Sequence, residues 1–162
     1  MSSPPVAPAP RWPLILLRAT ATAPAVLALL QTVLAAGFLN GHYEALAMHA
    51  AGATALAAVA VCQLVAGVLV RWPGRGPRWP LGVSALLTAA VMLQIGLGYN
   101  RALGLHVVLG VLLVSGTLFA LVGAWRQPLP ARSPAPAGAG GPEDADGAGL
   151  LPRPGGHVGV AP

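Results

Sequence analysis

Four stretches of the chain run without a charged side chain, at about 22–39, 46–70, 80–99 and 102–125. Each is close to the roughly 20 residues that a helix needs to cross the hydrocarbon core of a bilayer. Charged residues fall in the joints between these runs and at the two ends of the chain. Within the runs the polar positions are isolated Gln, His, Ser and Thr residues. Gly, Ala, Ser and Thr are frequent there, and small residues let helix backbones approach closely in lipid. Pro80 stands at the start of the third run, where a helix loses nothing by lacking an N–H. The pattern predicts an all-α, integral membrane four-helix bundle with disordered terminal tails.

The ends read differently. Residues 1–20 hold Pro4, Pro5, Pro8, Pro10 and Pro13 with Arg11 and Arg18, which predicts a disordered leader that becomes a basic flank. From Gln127 to residue 162 the chain is rich in Pro, Gly and Ala and carries Glu143, Asp144 and Asp146, a composition that cannot bury a core. The domain is therefore expected over 21–126, between a leader and a tail. The first apolar run is as long as the later ones and follows a long leader, so it reads as an uncleaved anchor rather than a secretory signal.

Composition places this pattern firmly in the membrane class. Of 162 residues, 56% are hydrophobic and 8% charged, and the mean hydropathy is +0.72. Such values lie outside the range of soluble domains. A net charge of +5 would suggest nucleic acid in a soluble protein. Here all nine basic residues are arginines, most of them flanking apolar runs, so the partner they imply is membrane lipid and not nucleic acid. With the termini placed inside, eight arginines lie on the cytoplasmic side and only Arg101 lies outside. Trp12, Trp72, Trp79 and Trp125 then fall at the cytoplasmic ends, and Tyr43 and Tyr99 at the outer ends, where amphipathic rings prefer to sit. The expectation is a multi-pass protein of the cell inner membrane with both termini cytoplasmic. Cys62, the single cysteine, reads as a small packed residue.

Candidate chemistry is concentrated in LQIGLGYNRALGLHVVLG, residues 93–110, which keeps Gln94, Arg101 and His106 in apolar surroundings. The topology puts His49 and His106 at similar depth, each about one turn into a helix that starts at the outer face. At a period of 3.6, His49 shares a face with Gly52, Ala53, Leu56, Ala60, Gln63 and Gly67, and His106 with Gly110, Leu113, Thr117 and Ala124. Stripes of this kind are expected to turn inward, because lipid offers polar side chains no partner. A repeat supports the pairing: Leu30 and Gln31 align with Leu93 and Gln94, Leu34 with Leu97, and His49 with His106. Two facing histidines on different helices of a bundle are what a bis-imidazole haem needs. On that reading Gly52 and Gly110 clear space for the porphyrin plane, and Arg101 pairs with propionates. Gln31, Gln63 and Gln94 read as interhelical hydrogen-bond partners. His42 and Glu44 read as loop residues, with a metal site shared with His49 as the alternative. No phosphate-binding loop or Ser, His and Asp set is present, because every acid except Glu44 lies in the tail.

The order of Gln, Leu, Gly and Arg towards the end of one helix, a short outer loop and a His in the first turns of the next resembles haem A synthase. The resemblance covers about residues 22–125, one four-helix half of such a protein. It implies that His49 and His106 are a haem-ligand pair, that Arg101 is the arginine of the outer helix end, and that the cofactor is haem, taken here as haem b. Two readings stand at this point. The first is a haem binder that relays electrons to a membrane redox partner. The second is a cofactor-free structural or accessory subunit that packs against a partner or a second copy. A small transporter is a weaker third, because no charge lies at the membrane midplane.

Overall fold

The computed structural model describes residues 10–130. They form four helices, α1 (Trp12–Leu39), α2 (Glu44–Arg71), α3 (Trp79–Tyr99) and α4 (Leu103–Arg126). All four are long and apolar enough to cross a membrane. At 1.5 Å per residue the shortest, α3 with 21 residues, extends over about 32 Å, enough for a hydrocarbon core of about 30 Å. Each helix packs against its neighbours in sequence, and α1 packs against α4. The backbones of the diagonal pairs, α1 with α3 and α2 with α4, do not come close to each other. The bundle is thus a square of antiparallel helices. Its histidine end carries the α1–α2 and α3–α4 turns, and its arginine end carries the α2–α3 turn with Arg11, Arg71, Arg75, Arg78 and Arg126.

Three of the predicted spans match these helices to within two residues at either end, and α1 does not. It begins ten residues earlier than the apolar run suggested, so residues 12–20 are helix rather than leader. Pro13 sits in the first turn, where proline is favoured, and Leu14 and Leu17 pack with Ala21, Ala66, Val70 and Ala124. Arg18 explains how a cation is tolerated inside this helix. Its guanidinium donates to the carbonyls of Ala124, Trp125 and Gln127, the last at 2.6 Å, and lies 5.1 Å from the centre of the Trp125 ring. It thereby satisfies carbonyls that the end of α4 leaves without partners. Residues 1–9 and 131–162, most of the expected leader and tail, lie outside the described residues.

The predicted inward stripes form the core. Leu56, Ala60, Gln63 and Gly67 of α2 are buried, as are Leu113, Thr117, Ala120 and Ala124 of α4. Small residues set the spacing. A side chain at Gly67 would meet the Leu81 backbone at 3.0 Å, so α2 and α3 touch almost backbone to backbone. Nearby, Thr88 Oγ1 donates across to the Ala60 carbonyl at 3.1 Å.

Both turns at the histidine end are built alike. In the first, Gly41 N–H bonds to Phe38 O and His42 N–H to Gly37 O; in the second, Arg101 N–H bonds to Gly98 O and Ala102 N–H to Leu97 O. This is the paired hydrogen bonding of a Schellman motif, whose turning residue has a left-handed backbone. Gly41 takes φ 89 and Arg101 takes φ 55. The asparagine before each, Asn40 or Asn100, donates its side-chain amide to the carbonyl four residues back at 2.8 Å.

Candidate functional site: a histidine pair on the bundle diagonal

Although the backbones of α2 and α4 do not come close, their histidines meet. The ring centres of His49 and His106 are 6.2 Å apart, with planes inclined at 56°. Each imidazole reaches across the space left by the open diagonal, and each is held from the side by the preceding helix of its own hairpin.

In the second hairpin the hold is reciprocal. His106 Nδ1 lies 3.0 Å from the backbone oxygen of Gln94, and the Gln94 side-chain amide donates to the His106 carbonyl at 2.9 Å. A carbonyl oxygen can only accept, so Nδ1 carries the proton and Nε2 is left with a free lone pair. The first hairpin repeats the device. His49 Nδ1 lies 3.3 Å from the backbone oxygen of Gln31. The Gln31 amide, oriented so that both its ends are satisfied, donates to the His49 carbonyl at 3.1 Å and accepts from Ala53 N–H at 3.1 Å. The same amide nitrogen is also 2.7 Å from His49 Nδ1. His49 thus has a donor and an acceptor within reach of one ring nitrogen, whereas His106 has a carbonyl alone.

Glycines make these contacts possible, in a way that differs from the sequence expectation. Gly52 was expected to clear room for a flat ligand, but the space above it holds the Gln31 amide, which a β-carbon would strike. Gly110 borders the cavity described below, yet a β-carbon there would first meet Gln94 Nε2, at 3.1 Å. Both glycines therefore serve the glutamine clamps. The clearance for an imidazole comes from Gly98, where a β-carbon would lie 3.1 Å from His106 Cε1. Nothing in the sequence separated Gly98 from Gly96 or Gly104, because a packing glycine in a span looks the same whatever it packs against.

The two rings border a cavity of about 330 Å³, at the lower end of the range for ligand pockets. Apart from the histidines, Gln31, Gln94 and Thr32, its wall is apolar, with Leu56 and Val91 on the side of α2 and α3. Gln94 Oε1 is buried beside it without a hydrogen-bond partner. Arg101 is exposed and does not line the cavity, so the structure leaves it in the turn rather than at the site. His42 and Glu44 form an exposed pair 3.8 Å apart. Among the described residues no three His, Cys, Asp or Glu side chains gather into a metal-binding group, and the His42, Glu44 and His49 alternative is accordingly not assembled. The pair His49 and His106 stands alone as a candidate for holding a metal centre that brings its own equatorial ligands. Compared with known proteins, the chain matches no protein family, no characterised protein and no solved structure.

Proposed function

We propose that the protein binds one b-type haem through His49 and His106 and relays electrons near the membrane face at its histidine end. One observation carries this reading, the 6.2 Å between the ring centres. A metal between two imidazole nitrogens, each bond about 2 Å long, sets the ring centres roughly 6 Å apart. Both rings also border the same cavity, on helices whose backbones do not come close.

The surroundings support the same reading. His106 presents Nε2 as its free nitrogen, because Nδ1–H is committed to the Gln94 carbonyl, and such hydrogen bonds orient a ligating imidazole and raise its basicity. His49 takes the matching tautomer when Nδ1–H faces the Gln31 carbonyl. The apolar wall excludes water and lowers the local dielectric, one of the levers by which a protein sets a redox potential. A haem held by His49 and His106 would supply one-electron transfer. Arg101, at the outer turn, is the cation available to a propionate. The arginine end is taken to face the cytoplasm of an inner membrane, by the excess of arginine there, and the resemblance to one half of haem A synthase belongs to this proposal.

The test is an absorption spectrum of the detergent-purified protein, oxidised and then reduced with dithionite, beside His49→Ala and His106→Ala. The expected result is a Soret band with sharp α and β bands on reduction, lost in both variants while their helical circular dichroism is kept. A featureless spectrum from protein made with ample haem would overturn the reading and favour the accessory subunit.

A further inference from the structure

The cavity beside the histidines is open on one flank of the bundle only. Its lining residues from α2 and α3 are all buried or half-buried. The exposed ones are Thr32, Ala36 and Leu39 of α1 and Val107 and Val111 of α4. Each belongs to a face that a bilayer would cover with acyl chains. No residue of either turn at the histidine end lines the cavity. On α2, α3 and α4 the lining stops about a turn short of that end, at His49, Ile95 and His106, and the mouth is a slot between α1 and α4 that runs down from Leu39.

The slot stops halfway along the seam between α1 and α4. Below it, Ala21 and Ala25 of α1 and Thr117, Ala120 and Ala124 of α4 are buried. Arg18 ties the two helices together at the arginine end, and Trp125 Nε1 donates to Thr22 Oγ1 at 3.3 Å. Along α1 the lining runs from Ala28 to Leu39, which is about 16 Å of helix and about half of a 30 Å hydrocarbon core. The seam is closed in one leaflet and open in the other.

We propose that the site takes up its porphyrin sideways from the leaflet at the histidine end, through the α1–α4 slot, and that the bound ligand keeps one edge in lipid. The ligand rests on the haem reading above; the slot does not. A flat, largely apolar molecule dissolved among acyl chains reaches His49 and His106 without crossing a polar surface. It has to part no helices, because the slot already stands open. A cavity of about 330 Å³ is also too small to enclose a whole porphyrin, so part of the ring lies in the mouth.

The test uses haem-free full-length protein in vesicles containing a phospholipid with a photoreactive diazirine on its acyl chain. Adducts are mapped by mass spectrometry before and after haem is added. Leu56 and Val91 are only 7% and 2% exposed, yet both border the cavity, so adducts there report entry through the slot. They are expected in the parent protein and in Leu86→Phe, which enlarges an exposed residue elsewhere. They should fall at least tenfold in Thr32→Phe with Val111→Phe, with a matching slowing of haem uptake from vesicles. Adducts on lipid-facing residues away from the slot show that each variant is inserted and folded. Absence of adducts at Leu56 and Val91 in the parent, or their persistence in the double variant, overturns the lateral route whatever the spectrum shows. Adducts that follow the expected pattern but are not displaced by haem uphold the slot and overturn the haem reading.

Discussion

His106 and Gln94 hold each other at two points, through an imidazole Nδ1 that is 3.0 Å from the Gln94 carbonyl oxygen and a glutamine amide that is 2.9 Å from the His106 carbonyl. The imidazole contact uses backbone on the α3 side and the amide contact uses backbone on the α4 side, so the two respond differently to mutation. Gln94→Leu removes the amide and keeps the carbonyl that orients the ring. The expected cost is about 0.6–1 kcal/mol, typical of an interhelical hydrogen bond in a membrane protein, measured by unfolding in detergent. The spectrum of bound haem should be retained, because the tautomer of His106 does not depend on the amide.

Gly98 is the more sensitive position for the ring itself. In Gly98→Ala the new β-carbon would stand 3.1 Å from His106 Cε1, closer than normal packing permits, and the imidazole must yield by a few tenths of an ångström. Overpacking of this kind typically costs about 1–3 kcal/mol. Haem occupancy should fall several-fold and the α band should shift. Gly96→Ala is the control, since nothing lies within 4 Å of a β-carbon there, and its spectrum should match the parent's.

Arg101 occupies the left-handed position of its turn at φ 55, where the first hairpin uses Gly41 at φ 89. A side chain in that conformation costs about 1–2 kcal/mol relative to glycine. Arg101→Gly should therefore raise the stability of the haem-free protein by about 1 kcal/mol, read from its unfolding midpoint. If the guanidinium also meets a propionate, the same variant should release haem faster. A variant that is both less stable and unchanged in haem release would contradict both roles.

Arg18→Ala leaves the Ala124, Trp125 and Gln127 carbonyls without their donor. A loss of about 2 kcal/mol is expected for hydrogen bonds to a charged group. Arg18→Lys should recover only part of it, because an ammonium cannot reproduce the planar fork of a guanidinium. Thermal unfolding followed by circular dichroism, together with proteolysis near Gln127, measures both.

The spans and inward faces were legible in the sequence because lipid enforces them: uncharged runs of fixed length, and small or polar stripes with nowhere else to face. The matched depth of His49 and His106 followed from the topology, and the repeat supported the pairing. What the sequence concealed depends on partners far away along the chain. Arg18 looked like a basic flank because its acceptors lie more than 100 residues later, and this is why the start of α1 was placed too late. Gly52 was assigned to a ligand because the reach of the Gln31 amide cannot be seen in one dimension. Arg101 was read as a propionate partner at the outer helix end, and the tight turn that follows Tyr99 leaves it exposed and off the cavity wall.

The clamps also bear on how the site comes into being. Gln31 and His49 belong to the hairpin synthesised first, Gln94 and His106 to the one synthesised second, and each ring is restrained entirely from within its own hairpin. Each pair of helices can enter the bilayer with its imidazole already set. The hairpins meet along α2–α3 and α1–α4, and only their docking brings both rings to the border of one cavity.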